Sequence, residues 1–343
     1  MKLEDILDFS TPNSPLPPQA IPAAVAFLLD ESQAVDQRAS LLEALHRQGE
    51  SDSLLAGFAS ELLARATPLP GLPSGLIDVC GTGGDQAGFF NVSTAVMFVA
   101  AGAGARVAKH GNRGITSRSG GADALEALGV RIDHPPDEAA ALIREAGCGF
   151  LFAPLYHACV KAVAPVRKFL ADRGTPTIFN LLGPLINPAR PEFQLVGIYR
   201  QDVLAPYAGA LKILGRSRAW VVNGSGTDDS RLDEISPFGP THIVDVDPSS
   251  TREFVLNPSS LGILTPGPAS LLGGSAIENA TIIRGILENS DHSPRRTMVE
   301  LNAAAALVVS GLAPNLSEGL AAASLSINSG AALAKLHALQ AAS

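Results

Sequence analysis

Apolar residues at helical spacing characterise the N-terminal part of the chain. Residues 21–29, 37–46 and 53–64 each carry apolar side chains three and four positions apart, which is the periodicity of an amphipathic helix. The stretch 67–73, TPLPGLP, can neither continue a helix nor enter a central strand because of its prolines. We therefore predict a small helical domain at residues 1–70 that ends in a linker.

From residue 76 onward, short apolar runs alternate with longer runs of helical periodicity. The predicted strands are 76–79, 106–108, 130–132, 150–152, 194–198, 219–222 and 242–246. The predicted helices are 93–102, 122–128, 136–146, 202–214, 296–310 and 317–328. Such alternation is typical of an α/β fold with a mainly parallel sheet that helices cover on both faces. We assign residues 71–343 to this large domain and expect helices from about 157–190 to join the small one.

Composition argues against several classes of protein. The 343 residues are 46% hydrophobic and carry a formal net charge of −8, which disfavours binding to nucleic acid through general electrostatics. The three cysteines have the spacing of neither a zinc site nor a disulfide framework. The N-terminus lacks the apolar core of a signal peptide, and the longest apolar stretch, 92–105, is too short to span a membrane. We expect a cytoplasmic protein with no nucleic-acid or membrane partner.

Two glycine-rich turns each follow a predicted strand and precede a predicted helix. The first is 81–85, GTGGD, and the second runs from residue 110 to residue 121. Glycine lets the main chain approach a ligand closely, and the free N–H groups of a helix that begins after such a turn favour an anion. With Lys109, Arg113 and Arg118 beside them, the two turns indicate a ligand with more than one phosphate. The first turn alone matches neither a Rossmann nor a Walker motif, so an ordinary strand-to-helix turn is the alternative there.

Two short motifs add candidate chemistry to these turns. Residues 91–94, NVST, offer an amide and two hydroxyls to phosphate oxygens or a metal, although the same side chains are ordinary helix caps. Residues 109–113, KHGNR, combine two cations, an imidazole and an amide, which suit an anion and a polar acceptor. A solvated basic turn with a hydrogen-bonded histidine is the alternative for this second motif.

Charged residues further along the chain complete the set of candidates. Asp233 and Glu234 follow the predicted strand 219–222, where adjacent carboxylates can hold Mg²⁺, although exposed loop acids are the simpler interpretation. Arg167 lies on the predicted helical run 156–170 and can bind a carboxylate with its forked guanidinium group, although a surface arginine is the commoner case.

Eight motifs in order along the chain carry a resemblance to a known family. They are GTGGD (81–85), NVST (91–94), KHGNR (109–113), SGGADALEALG (119–129), FAPLYH (152–157), VR (166–167), FNLLGPLINP (179–188) and LDEIS (232–236). With these motifs the chain resembles the anthranilate phosphoribosyltransferases of tryptophan biosynthesis, from about residue 35 to the C-terminus.

The resemblance implies a fold, an activity and a set of partners. The fold is that of the nucleoside phosphorylases and phosphoribosyltransferases, with a small all-helical domain and a large α/β domain. The expected reaction moves the phosphoribosyl group of phosphoribosyl pyrophosphate to the amino group of anthranilate and releases pyrophosphate. The expected cofactor is Mg²⁺, and the expected assembly is a homodimer formed through the helical domain.

The resemblance also implies site residues. The catalytic contacts fall on Lys109, His110 and Arg167. The metal ligands fall on Ser93, Asp233 and Glu234. The substrate contacts fall on Gly81, Gly84, Asp85, Asn91, Val92, Ser93, Thr94, Lys109, His110, Gly111, Asn112, Arg113, Gly114, Ile115, Thr116, Ser117, Gly121 and Arg167.

This chain departs from the usual motifs at several positions. Gly121 stands where the family usually has serine, and Asn223 stands where it usually has histidine. The loop 225–231 before the two acids is longer than usual, so the acids are retained in an altered setting. Three alternatives are a nucleic-acid-binding relative, a pyrimidine nucleoside phosphorylase and a transferase with another aromatic acceptor. The negative net charge and the intact KHGNR motif disfavour the first, and the LDE acids fit the second poorly.

Overall fold

Eight strands form one sheet in the computed structural model, which describes residues 15–85, 87–114, 118–227 and 230–342. The strands are β1 Leu76–Gly81, β2 Arg106–Gly111, β3 Cys148–Phe152, β4 Phe193–Gly197, β5 Arg218–Ser225, β6 Arg231–Leu232, β7 Thr241–Val246 and β8 Thr251–Leu256. Their order across the sheet is β3-β2-β1-β4-β5-β7-β8, and β6 pairs with β5. The first five strands of this order are parallel, and the remaining pairings are antiparallel. The predicted mainly parallel sheet is confirmed.

Helices connect the strands and cover the sheet. They are α1 Ile21–Leu29, α2 Val35–Gln48, α3 Asp52–Ala64, α4 Val92–Gly102, α5 Gly121–Ala127, α6 Pro136–Ala146, α7 Ala153–Tyr156, α8 Ala164–Ala171, α9 Phe179–Leu182, α10 Leu204–Ile213, α11 Ala276–Leu287, α12 Pro294–Val309, α13 Leu316–Asn328 and α14 Ala331–Ala341. Short 3₁₀ turns include Ala158–Val163, Gly183–Ile186 and Gln201–Val203. None of the described helices has the length and apolar character needed to cross a membrane.

Both faces of the sheet are buried under these helices. On one face, α4 and α12 pack together, and every α4 residue from Ala95 to Ala101 is buried. On the other face, α10 packs against β5 and β7. Strand β1 serves both layers, because Ile77 and Val79 join the cluster around α4 whereas Cys80 packs on the opposite side. Alternating side chains of a strand point to opposite faces, so a doubly covered strand must be apolar almost throughout.

The N-terminal helices share one apolar cluster with the underside of the sheet. This cluster contains Leu28, Leu41 and Leu55 from α1 to α3, Leu170 from α8 and Val196 from β4. Helices α3 and α10 contribute its largest helix-to-helix contact. Leu170 of α8 thus packs in the same apolar cluster as the N-terminal helices and β4.

The predicted strand at residues 130–132 is wrong. Strand β3 already pairs with β2 at that edge of the sheet, and the Val130 N–H donates to the Leu125 carbonyl at 2.9 Å instead of to a strand. Val130 is nevertheless buried, so its apolar character reflects the packing of a connection between α5 and α6.

The predicted helical run 156–170 is also interrupted. It contains the 3₁₀ turn Ala158–Val163, and α8 begins only at Ala164 with Pro165 in its first turn. Proline has no N–H to donate, so a helix begins at such a residue more readily than it continues through it. Strand β8 and helices α11 and α14 are present in the structure but were not predicted from the sequence pattern.

Truncation of Leu301 measures how much the helical layer around α4 and α12 contributes to the free energy of unfolding. Its side chain is fully buried in that cluster. We expect Leu301→Ala to lower the free energy of unfolding by about 2–5 kcal/mol, because the lost methyl groups leave a cavity. The measurement is urea denaturation.

Leu325→Ala is the control: Leu325 is 65% exposed, and its truncation should change stability by less than about 0.5 kcal/mol. Equal losses in the two variants would contradict this picture.

Candidate active site

The two predicted glycine-rich turns lie side by side at one edge of the sheet. Strands β1 and β2 are parallel neighbours that end at Gly81 and Gly111. Helices α4 and α5 begin after the turns, at Val92 and Gly121. Open α/β sheets bind ligands at this edge, beyond the carboxyl ends of the strands. The arrangement thus gives both turns and both helix N-termini access to the same ligand.

Asp233 lies across the ends of β1 and β4. Gly81 and Gly197 are register partners there, and a Cβ atom on Gly81 would overlap the Asp233 carboxylate. A Cβ on Gly197 would overlap the Asp233 carbonyl group, so both positions require glycine. The Gly83 N–H donates to the Asp233 carboxylate at 2.7 Å. The acid is therefore fixed directly against the first turn.

Lys109 connects the two strands to the start of α4. Its buried ammonium group donates to the Val79 carbonyl at 2.7 Å and to Ser93 Oγ at 3.0 Å. The Ser93 N–H, at the N-terminus of α4, hydrogen-bonds the Glu234 carboxylate. The structure thus brings together the predicted residues Ser93, Lys109 and Glu234.

The acids at this edge repel one another. Burial raises the pKa of Asp233, and the negative charge of Asp85 raises it further. Burial also raises the pKa of Glu234 well above its usual value, with the charge of Asp233 as the next cause, and Lys109 opposes the shift. Within the described ranges, no three His, Cys, Asp or Glu side chains are arranged as a ready metal cluster. Closely spaced carboxylate oxygens nevertheless suit Mg²⁺, which prefers oxygen ligands.

The second turn is organised by Asp123, near the start of α5. Its carboxylate accepts hydrogen bonds from the N–H groups of Gly114 at 2.9 Å and Gly120 at 2.8 Å. Arg113 donates to Asp123 at 3.0 Å and also to Glu126, one turn further along α5. The predicted contact residue Arg113 is therefore engaged by two acids of α5. The predicted contacts at 115–117 lie outside the described residues.

Asn91 joins the first turn to the second. Its amide nitrogen donates to the Ser119 carbonyl at 3.1 Å, and its amide oxygen accepts from Asn279 of α11 at 2.9 Å. Asn91 occupies the N-cap position of α4 without making a side-chain capping bond. The interpretation of Asn91 as an ordinary cap is therefore wrong, because its side chain links three parts of the chain.

His110 points to the opposite side of the sheet from Lys109. Its Nδ1 lies 3.2 Å from the Gly183 carbonyl, which can only accept, so Nδ1 carries the proton and Nε2 the lone pair. The ring meets His157 edge to face at 5.3 Å. Burial lowers the pKa of His110 to about 3, and the neighbouring His157 adds to this shift. His110 is therefore neutral at physiological pH and faces the segment 179–188.

Arg167 lies near the same segment, on α8. Its guanidinium group is 5.8 Å from the centre of the Phe179 ring, and the side chain is half-buried. Burial lowers the pKa of Arg167. No acidic partner of Arg167 occurs among the described residues. A partly desolvated cation without an acid beside it is suited to bind an anion.

Five further predicted residues have different surroundings. Gly84 has a φ of +90°, and a Cβ there would lie 3.0 Å from the Tyr199 ring. Thr94 is fully buried, and its hydroxyl has no hydrogen-bond partner in the described part of the chain. A Cβ on Gly121 would lie 3.2 Å from that hydroxyl, so a side chain at this position would crowd Thr94. Val92 is buried apolar packing, and Asn112 is exposed.

Comparison with known proteins agrees with this geometry. Residues 74–333 match the family described as glycosyl transferase family, a/b domain. The chain is 45% identical over 322 residues to the anthranilate phosphoribosyltransferase of Brucella ovis, covering 94% of this chain and 92% of the relative.

Solved structures give the same result. The crystal structure of anthranilate phosphoribosyltransferase (TrpD) from Thermus thermophilus superimposes with a TM-score of 0.89 at 36% identity, covering 99% of this chain and 98% of that one. The enzyme from Saccharomyces cerevisiae in complex with PRPP and Mg superimposes with a TM-score of 0.87 at 28% identity, covering 99% and 97%.

The fold and the family match define the class first: this is an α/β glycosyl transferase. Within that class, the chain belongs to the anthranilate phosphoribosyltransferase family. The resemblance seen in the sequence motifs is thereby confirmed, and so is the fold that it implied.

Several residues that shape the site were not found from the sequence. Asp123 organises the second turn, Gly197 admits the Asp233 main chain, and Asn187 donates to the Ala108 carbonyl at 2.8 Å. Asp123 had a detectable signal, since it is an acid in the first turn of a predicted helix. Asn187 lies in the motif 179–188, but its role, like that of Gly197, depends on contacts with residues that are distant in sequence.

The buried imidazole of His110 should make stability depend on pH. The native state keeps His110 neutral down to a pKa of about 3, whereas the unfolded chain takes up a proton near the usual 6.5. The unfolded state then binds more protons between these values, so the free energy of unfolding falls as pH decreases below 6.5. We expect His110→Gln to lose less stability than the wild type between pH 7 and about pH 4.5 in urea denaturation.

His292→Gln provides the control for this comparison, because His292 is an exposed histidine. This variant should keep the pH dependence of the wild type. If His110→Gln loses as much unfolding free energy at low pH as the wild type and the control, His110 does not contribute to the pH dependence of stability.

Proposed function

We propose that the protein transfers the phosphoribosyl group of phosphoribosyl pyrophosphate to the amino nitrogen of anthranilate and releases pyrophosphate. The observation that carries this proposal is a site with two chemically different ends. At one end, Lys109 and the α4 N-terminus meet the two glycine-rich turns. At the other, a half-buried Arg167 and a neutral His110 face the segment 179–188.

The first end suits the diphosphate and ribose phosphate groups. The two glycine-rich turns and the N-terminus of α4 meet at the ligand edge, and the positive end of the helix dipole favours phosphate oxygens there. Breaking the bond between ribose C1 and pyrophosphate places negative charge on the leaving group. The buried ammonium group of Lys109 is already fixed by Val79 and Ser93, so it can stabilise this charge without reorganising.

Mg²⁺ fits the same end. Asp233 and Glu234 would hold it together with Ser93, since these residues converge there, and burial together with neighbouring negative charge raises the pKa of both acids. When bound, the ion would neutralise charge on the pyrophosphate oxygens. The yeast relative whose solved complex contains PRPP and Mg supports this use of the ion.

The second end suits an aromatic amino acid. The guanidinium group of Arg167 can pair with the carboxylate of anthranilate, and the Phe179 ring beside it offers an apolar wall. The acceptor amine is neutral at pH 7, so no strong general base is needed to activate it. Positioning by Arg167 and His110 then accounts for this side of the reaction.

We also propose the organisation of the molecule that the sequence predicts. Residues 1–70 and the helices near 157–190 would form a small domain, supported by the cluster that contains Leu28 and Leu170. The resemblance to the family supports a homodimer formed through these helices and a cytoplasmic location.

The activity is tested by the fluorescence of anthranilate. We expect the signal to fall when phosphoribosyl pyrophosphate and Mg²⁺ are both present, because the amino group becomes ribosylated. Omitting phosphoribosyl pyrophosphate or chelating the metal serves as the control and should preserve the signal. A signal that stays constant at high enzyme concentration would overturn the choice of acceptor.

Substitutions at the two ends of the site should change different kinetic parameters. Asp233→Ala should mainly raise the Mg²⁺ concentration and the phosphoribosyl pyrophosphate KM that the reaction needs, because it removes an oxygen ligand. Arg167→Ala should mainly raise the anthranilate KM, by about tenfold or more for the loss of one charged hydrogen-bonding partner. Steady-state kinetics in each substrate and in Mg²⁺ provide the measurement. Identical profiles for the two variants would refute this division of roles.

A further inference from the structure

The main-chain ladder between strands β1 and β2 stops short of the ligand edge. Their paired residues are Leu76 with Arg106 and Ile77 with Val107. In contrast, the pairing of β1 with β4 continues to Gly81, and β2 stays paired with β3 to its last residue. The two strands that carry the glycine-rich turns are thus the pair whose main-chain ladder stops early.

Side chains replace the ladder beyond Ile77. The His110 N–H donates to Asp78 Oδ1 at 3.3 Å, and the Val79 carbonyl accepts from Lys109 Nζ at 2.7 Å. A buried main-chain N–H or carbonyl without a partner is costly, so each opened strand needs such a substitute. The Asp78 side chain of β1 supplies an acceptor for the His110 N–H of β2. The Lys109 side chain of β2 supplies a donor for the Val79 carbonyl of β1.

Asp78 also reaches a third part of the chain. Its fully buried carboxylate is hydrogen-bonded by the side chain of Asn187, which follows the 3₁₀ turn Gly183–Ile186. Asn187 in turn donates to the Ala108 carbonyl of β2 at 2.8 Å. A buried carboxylate is tolerated when several donors surround it, and here the donors come from β2 and from the segment that carries the Gly183 contact of His110.

We propose that Asp78 is a positioning residue that sets the spacing of the two glycine-rich turns and the placement of Lys109 and His110. It has no direct contact with substrate in this role. Where the ladder between β1 and β2 stops, the Asp78 carboxylate holds the main chain of β2 in place against β1. The inference rests on the proposed transfer reaction only for its kinetic consequence, since the contacts themselves do not depend on it.

The kinetic consequence of moving Asp78 follows from the position of Lys109. A shift of the β2 end moves its ammonium group relative to the first turn, and misplacement of about 1 Å can reduce catalysis roughly a hundredfold. His110 moves with the same strand but on the other face of the sheet. The pyrophosphate end should therefore be more sensitive than the acceptor end, because its contacts involve both turns.

Two substitutions at Asp78 separate shape from charge. Asp78→Asn keeps the size and one oxygen that can accept the His110 N–H, whereas Asp78→Ala removes every acceptor. Ser326→Ala is the control, because it removes a different buried hydrogen bond, from Ser326 to the Val99 carbonyl at 2.8 Å, toward the far end of α4. All three variants are compared with the wild type by steady-state kinetics and by hydrogen exchange of the His110 amide.

We expect Asp78→Ala to raise the phosphoribosyl pyrophosphate KM by about tenfold or more, because a displaced Lys109 would meet the pyrophosphate group out of position. The anthranilate KM should change less. Asp78→Asn should lie between Asp78→Ala and the wild type, which a merely destabilising change would not require. The His110 amide should exchange at least about tenfold faster in Asp78→Ala, because its acceptor is gone. Ser326→Ala should leave both KM values and the His110 exchange within about twofold of the wild type.

Three results would overturn the proposal. The first is a phosphoribosyl pyrophosphate KM in Asp78→Asn and Asp78→Ala within about twofold of the wild type. The second is an equal rise in Ser326→Ala, and the third is unchanged exchange of the His110 amide. If Asp78→Ala does not fold, Asp78→Asn alone tests the proposal. The expected result is then a phosphoribosyl pyrophosphate KM about threefold above the wild type and faster exchange of the His110 amide. If the wild type itself consumes no anthranilate, the proposed function fails, while the His110 exchange still decides the role of Asp78.

Discussion

The ligand edge depends on the close approach of the Asp233 main chain to the ends of two strands. Gly81 and Gly197 are paired there, and neither position has room for a Cβ atom. This contact brings the Asp233 carboxylate to the N–H of Gly83 and places Glu234 at the N-terminus of α4, against Ser93. Without two facing glycines, the acids could not reach the turn or the helix, and the site would lose its negatively charged side.

Charge balance explains why this edge needs a bound partner. Burial, reinforced by neighbouring negative charges, raises the pKa of both Asp233 and Glu234, and Lys109 opposes the shift at Glu234. Lys109 is itself committed to Val79 and Ser93. The edge therefore suits a divalent cation, which would compensate the negative charge that the protein leaves unbalanced and would in turn attract phosphate groups.

Local patterns predicted the parts of the molecule that local physics determines. The apolar runs of β1 and β2, the glycine-rich turns and the KHGNR motif could be read directly, because strand burial and turn geometry act over a few residues. Gly197 and Asp123 were missed because their roles depend on contacts with Asp233 and with Gly114. The false strand at 130–132 has the same origin: buried apolar residues look alike whether a strand or a connection buries them.

The adjacent pair Lys109 and His110 shows how one strand serves both ends of the site. Successive side chains of β2 point to opposite faces, so Lys109 reaches α4 while His110 reaches the Gly183 carbonyl. The segment around Gly183 is held along its length by buried side chains: its carbonyl oxygens at 181, 183, 184 and 186 accept from Tyr207, His110, Gln194 and His157. A segment fixed at four carbonyls is rigid, and Phe179 at its start faces Arg167. Strand β2 thus links Ser93 at the start of α4 with the segment that carries Phe179.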